Sequence, residues 1–173
     1  VPSYAPWTFE SDVRRAARHQ AHIIDKSLSL YHKSSVINNV NNNNDLTIDS
    51  VFTAVFTKAK EIAETTGASL NTTTKPIQDL WGYNMSNYQS VTANDIAKVL
   101  EYTGLWKVHM DKGKVIKEDS RIQLNLNTIG IGYAVDLLGA MLDNRSISNY
   151  MIEVGKVVFC KGLNPSGTPW RII

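Results

Sequence analysis

The stretch with the clearest chemical potential is Thr128-Ile129-Gly130-Ile131-Gly132, which closes an alternating apolar run and opens a helical one. Ile122, Leu124 and Leu126 alternate with polar residues, the pattern of a strand with one buried face. Tyr133, Ala134, Leu137, Leu138, Met141 and Leu142 then recur at helical spacing. Two glycines flanking one residue between such segments predict a tight turn, so the order reads strand, glycine turn, helix. Free amides at a helix start favour an anion such as a phosphate. A close-packed turn that holds no ligand also satisfies this pattern. A second polar stretch, Ser69 to Pro76, crowds hydroxyls and amides into a predicted loop, with Pro76 disfavouring helix at Lys75. Leu80-Trp81-Gly82-Tyr83 follows as an aromatic turn that can pack or wall a pocket.

The elements that must position these residues alternate between helices and short strands. Val1 to Phe9, with two prolines, reads as an irregular lead-in, and Glu10 to Leu30 as a helix carrying Val13, Ala17, Ile24 and Leu28 on one stripe. The asparagine run, Asn38, Asn39 and Asn41 to Asn44, reads as a loop because asparagine competes for its own backbone. Thr47 or Asp49 caps a helix bearing Val51, Val55, Ala59 and Ile62, and Gly67 stops it. Thr92-Ala93-Asn94-Asp95 has the form of a capping box ahead of Ile96, Val99 and Leu100, with Gly104 as the stop. Asp111-Lys112-Gly113 sits between Trp106 to Met110 and Lys114 to Ile116 as a hairpin signal. Tyr150 to Val154 and Lys156 to Cys160 read as strands broken at Gly155, Asn164-Pro165-Ser166-Gly167 as a turn, and Trp170 to Ile173 as the start of another strand. Ending on an apolar run raises the expectation that the polypeptide continues.

Composition excludes several classes. A net charge of +2 gives no electrostatic case for nucleic acid or an acidic membrane surface. No apolar run approaches the roughly 18 residues of a membrane span, and no signal peptide is visible at Val1. The single Cys160 cannot close an internal disulfide and reads as a small core residue. No Ser-His-Asp set is apparent, and His19 and His22 have no partner at metal spacing.

Several separated motifs, taken in order, resemble one family. They are Leu28-Ser29-Leu30-Tyr31 with Ser35, Gly67 through Pro76 with Leu80-Trp81-Gly82-Tyr83, Asn125 through Asp136, and Asn149 to Gly155 with Gly162, Asn164, Gly167, Pro169 and Trp170. In this the chain is similar to the ApbE-type flavin transferases, FAD:protein FMN transferases. The resemblance implies an α+β fold, T-fold-like, with mixed helices and antiparallel strands around a flavin cleft. It implies one domain over residues 1–173, the N-terminal part of a longer flavin-transferase domain. It further implies Mg²⁺-dependent transfer of FMN from FAD to a Thr of an acceptor flavoprotein, of the membrane redox-complex type. A periplasmic or cell-envelope location, with a lipid anchor outside this chain, belongs to the same expectation. Tyr31, Ser69, Leu70, Asn71, Asn125 and Ile131 match the family's FAD-contacting positions, and Thr128 matches the position that gives the metal an oxygen.

The departures from that pattern are specific. Asn71 and Asn125 stand where the family has Asp, Ile131 where it has a Lys, Glu or Gln, and Lys156-Val157 where a Gly and an acid are usual. Loss of carboxylates favours one alternative, a non-catalytic FAD-binding protein; the same site with water as acceptor gives another, an FAD pyrophosphatase releasing FMN and AMP.

Overall fold

The computed structural model describes residues 7–82 and 91–172. The chain divides into two compact units, Asp25–Ile129 and Val1–Ile24 with Gly130–Ile173. The architecture is α+β: six helices and two antiparallel hairpins among the described residues.

The first helix, α1, spans Trp7–Leu28, so helix begins inside the expected lead-in, whose residues 1–6 lie outside the described part. Within Asp25–Ile129, α2 (Val36–Asn41) starts where Ser35 Oγ accepts from Asn38 N. This corrects the expectation of a loop across the asparagine run. Ile37 and Val40 are fully buried and hold the first half of the run in helix. The turn begins only at Asn42, and Asn43 takes φ 57°. Helix α3 (Ser50–Thr65) is capped by Asp49, whose Oδ1 accepts from Phe52 N at 2.8 Å and from Ser27 Oγ at 2.8 Å. Its buried face, Val51, Phe52, Val55, Phe56, Ala59 and Ala63, forms the centre of this unit's core. Gly67 follows the helix at φ 60°, as expected of a stop.

Residues 69–74 form the expected loop, but helix α4 (Lys75–Leu80) takes its last two residues and the first part of the expected aromatic turn. Pro76 lies in its first turn, where the missing N–H is one of the helix's unpaired donors anyway. Trp81 and Gly82 end it, and Tyr83 lies outside the described residues. Helix α5 (Ala93–Leu100) carries the full reciprocal capping box of Thr92 and Asp95. A 3₁₀ turn at Leu105–Lys107 leads into β1 (Val108–Asp111) and β2 (Lys114–Lys117), paired in the register Asp111↔Lys114 around Lys112 and Gly113. Both turn residues have positive φ, as a two-residue hairpin loop requires. The segment before α3 lies along β2, with Val115 N donating to Leu46 O and Ile48 N to Gly113 O. Lys117 Nζ donates to Val40 O and Ile122 O, each at 3.0 Å, and to Ser120 O, and burial pushes its pKa down.

Residues 122–126 keep the expected alternation, since Ile122, Leu124 and Leu126 are fully buried, yet they pair with no strand among the described residues. A side chain takes the place of a neighbouring strand. Asn41 Nδ2 donates to Leu124 O at 2.9 Å, and Asn41 Oδ1 accepts from Leu124 N at 2.7 Å. Helix α6 (Asn127–Asp143) then starts directly, with both glycines already inside it. The expected glycine turn is therefore corrected. Neither Gly130 nor Gly132 has positive φ, and a Cβ at Gly132 would meet nothing within 4 Å. Gly132→Ala is accordingly expected to stabilise the protein by about 0.5–1 kcal/mol, the ordinary helix-interior difference between the two residues. A urea midpoint that falls instead would reveal a constraint on that backbone.

In the other unit, β3 (Tyr150–Val154) and β4 (Val157–Lys161) form a hairpin turned at Gly155, φ 61°. Val135, Tyr150 and Ile152 centre a small core with Leu138, Leu142, Ile147 and Val154 around them. Asp143 Oδ1 accepts from Tyr150 Oη at 3.0 Å and from Lys161 Nζ at 2.7 Å, joining the end of α6 to the hairpin. The Lys161 ammonium lowers the Asp143 pKa, burial raises that of Tyr150, and Asp143 raises that of Lys161. Cys160 is half-buried on β4, most of which is exposed, rather than a core residue. The strand expected from Trp170 does not form among the described residues. Trp170 Nε1 instead donates to Lys161 O at 3.2 Å, and Leu163 and Pro169 make a single bridge across the Asn164 turn.

Candidate functional site

The 67–73 segment is held by its own polar side chains. Asn71 Oδ1 accepts from Thr73 N at 3.0 Å and from Thr73 Oγ1 at 2.7 Å. Thr73 Oγ1 in turn accepts from Gly104 N at 2.7 Å, tying this loop to the stop after α5. Asn125 N donates to Thr72 O at 2.7 Å, so the loop and the entry to α6 share a backbone hydrogen bond. Asn125 Oδ1 accepts from Asn127 N at 3.0 Å, and its Nδ2 donates to Gln78 Oε1 at 2.8 Å. At this junction Thr72 Oγ1 is buried and has no hydrogen-bond partner.

Beside the loop opens a cavity of about 500 Å³, lined by Lys60, Ala63, Glu64, Gly67, Ala68, Leu70, Asn71, Leu105 and Trp106. Its size is in the range of small-molecule sites. Of the sequence-derived candidates, Leu70 and Asn71 line it. Ser69 is exposed at the neighbouring position, its Oγ donating to Thr66 O. Tyr31 is 77% exposed on a separate turn. That turn is wound tightly around Asn38, whose Nδ2 donates to Ser29 O, Leu30 O and His32 O, while Ser35 Oγ donates to Ser29 O. The family-like Leu-Ser-Leu-Tyr run is thus a rigid mount for an exposed aromatic ring. Thr128 and Ile131 lie three residues apart near the start of α6, Thr128 exposed and Ile131 half-buried. Trp81, from the aromatic turn read as packing or walling a pocket, is half-exposed at the end of α4, and the aromatic residue lining the cavity is Trp106. Sequence reasoning passed over Trp106 as the first residue of a hairpin strand. The available signal was its place two residues after Gly104.

The donor set fits an organic ligand better than a metal ion. Among the described residues no three His, Cys, Asp or Glu side chains are placed to hold a metal. Thr128 offers one neutral oxygen, whereas Mg²⁺ ordinarily takes at least one carboxylate. The strongest carboxylate shift, Asp119 lowered to about 2 by hydrogen bonds from Arg121, belongs to an exposed local ion pair well away in sequence from these segments.

The ApbE family model matches residues 3–173, nearly the whole chain. The chain belongs to the ApbE family. An FAD:protein FMN transferase of Vibrio cholerae is 29% identical over 86% of this chain and 46% of its own length. One from Escherichia coli K12 is 25% identical over 94% of this chain and 49% of its own length. The chain thus spans about half the length of the curated relatives it matches. Flavin Transferase ApbE from Vibrio cholerae superposes at a TM-score of 0.88 with 24% identity, covering 99% of this chain and 56% of that one. Flavinyl transferase ApbE from Pseudomonas stutzeri superposes at 0.87 with 23% identity, covering 94% and 53%. These superpositions bear out the ApbE fold expected from the motifs.

Proposed function

We propose that this ApbE-family chain is one part of a longer flavin-transferase domain that moves FMN from FAD to an acceptor flavoprotein. The observation carrying this reading is the junction at Thr72. It joins the loop of Ser69, Leu70 and Asn71 to the start of α6 at Asn125, beside a cavity of ligand size. Relatives aligned over most of the chain are named FAD:protein FMN transferase. On this reading Tyr31, Ser69, Leu70, Asn71, Asn125 and Ile131 contact FAD. A Thr hydroxyl of the acceptor attacks the FMN phosphorus, a phosphoester forms, the diphosphate P–O bond breaks with AMP as leaving group, and the hydroxyl proton is released. This chain's own residues bind and orient the dinucleotide. Mg²⁺, when bound, would offset charge on the diphosphate; Thr128 would offer it one oxygen, and the charged ligands would come from outside the described residues. A periplasmic, lipid-anchored setting and a membrane redox-complex acceptor complete the proposal. No described helix is long and apolar enough to cross a membrane.

The amides at Asn71 and Asn125 favour a second reading, FAD binding without transfer. Both readings expect saturable FAD binding, checked by flavin fluorescence or calorimetry on this chain and on one completed to the length of its relatives. Absence of binding by the completed chain overturns both.

A further inference from the structure

Trp106 is 68% exposed, an unusual setting for the largest apolar side chain unless something holds it there. The backbone of Gly104 does so. A Cβ at Gly104 would lie 2.7 Å from Trp106 Cζ2 and 2.8 Å from Cε2, so the indole lies against that glycine, whose φ of 153° also favours glycine. Gly104 is itself fixed, because its N–H donates to Thr73 Oγ1, and Thr73 Oγ1 donates to Asn71 Oδ1. The ring therefore sits at the end of a hydrogen-bonded chain that starts at a cavity-lining residue. Leu70 and Leu105 line the same cavity, and Lys60 and Glu64, one helical turn apart on α3, bring opposite charges to it. A preset aromatic face beside an apolar cavity with polar residues suits a planar heteroaromatic ring, since stacking is favourable for any such ring and Trp offers the largest face.

We infer that Trp106 is the stacking platform for a planar heteroaromatic ring of the dinucleotide bound at the Leu70–Asn71 cavity, and that Gly104 sets its position. The inference rests on the FAD reading but is separable from it, because two chemically distinct rings, isoalloxazine and adenine, share this chemistry. The test titrates FAD, riboflavin and AMP separately into the wild-type chain, Trp106→Ala, Trp106→Phe, Gly104→Ala and, as a control aromatic, Trp81→Ala. Thermal unfolding is recorded for each variant to confirm folding. Stacking is expected to make Trp106→Ala lose about tenfold or more in affinity. Trp106→Phe should recover most of that loss, Gly104→Ala should weaken binding through the displaced ring, and Trp81→Ala should match wild type. Riboflavin or AMP showing the same dependence identifies which ring stacks. Riboflavin or AMP binding with that dependence while FAD does not bind supports the platform and overturns the FAD reading. FAD binding that is indifferent to Trp106→Ala overturns the platform and leaves the FAD reading standing. No binding of any of the three, by this chain or by one completed to the length of its relatives, overturns both. If Gly104→Ala fails to fold, the contrast between the Ala and Phe variants of Trp106 decides alone.

Discussion

Asn41→Asp is expected to destabilise the protein by about 3 kcal/mol at neutral pH, whereas Asn71→Asp and Asn125→Asp should each stay within about 1 kcal/mol of wild type. The difference lies in what each amide donates. Asn41 is 3% exposed and satisfies both backbone polar groups of the fully buried Leu124. A carboxylate there would still accept from Leu124 N but would press a second oxygen against Leu124 O, in a buried place where the charge loses its hydration. Protonation relieves this, because a neutral carboxyl can donate to that carbonyl. The introduced carboxyl therefore has a folded-state pKa above its unfolded value. Stability should be nearest wild type below about pH 4 and fall as pH rises through the raised folded value. Asn41→Leu should also lose about 2–4 kcal/mol by stranding two backbone groups, but with no such pH dependence. Asn71, by contrast, uses only Oδ1, as an acceptor from Thr73. A carboxylate accepts from N–H and O–H at least as well. At Asn125, Oδ1 accepts from Asn127 N, and the other amide contact is with Gln78, whose own amide can turn to donate. Urea unfolding of the three variants between pH 3 and pH 8 checks the set. Equal penalties at 41, 71 and 125 would show that the donor argument is wrong.

Such side-chain roles decided which parts of the fold were legible in the sequence. The capping box at Thr92 and Asp95, the Asp49 cap, the Lys112-Gly113 hairpin loop and the Gly155 turn depend on two to four neighbouring residues, and each appears as expected. The alternation of Ile122, Leu124 and Leu126 correctly marked a buried face, though not a strand. It did not disclose that the partner is a side chain 83 residues away. The asparagine run misled for the same reason. Asn38 and Asn41 are not loop formers but donors that wrap the Tyr31 turn and clamp Leu124. Gly130 and Gly132 signalled a tight turn, yet both continue a helix, because nothing in the spacing distinguishes a glycine chosen for φ from one chosen for small size. Of the candidate site, Leu70 and Asn71 were legible through the ordered motifs. Trp106 and Lys60 reach the same cavity from distant elements, and only the tertiary fold brings them there.

The 173-residue chain as written is expected to transfer no FMN, even if it binds FAD. Cleaving a diphosphate requires positive charge where negative charge develops, and a divalent metal anchored by carboxylates is the usual source. Among the described residues no acidic cluster exists to anchor one. The two amides that stand where the family has Asp, Asn71 and Asn125, are occupied in neutral hydrogen bonds. An amide oxygen can join a coordination shell but brings no charge to hold the ion against water. Asp136 is exposed on α6, two helical turns beyond Thr128, and does not substitute for them. The check is the mass of an ApbE-family acceptor after incubation with FAD and Mg²⁺. Three enzymes are compared: this chain, a chain completed to the length of its relatives, and the completed chain carrying Asn71→Asp and Asn125→Asp. The expected result is no mass gain with the first and an FMN-sized gain with the third. The second separates the causes. A gain there would show that the amides are compatible with transfer and that ligands from outside these residues suffice, whereas no gain would assign the deficit to positions 71 and 125. An FMN-sized gain with the first would mean that neutral ligands of this chain support the reaction, contrary to the charge argument. Because both substitutions are expected to leave folding nearly unchanged, a gain confined to the third enzyme would reflect the restored charge rather than a restored fold.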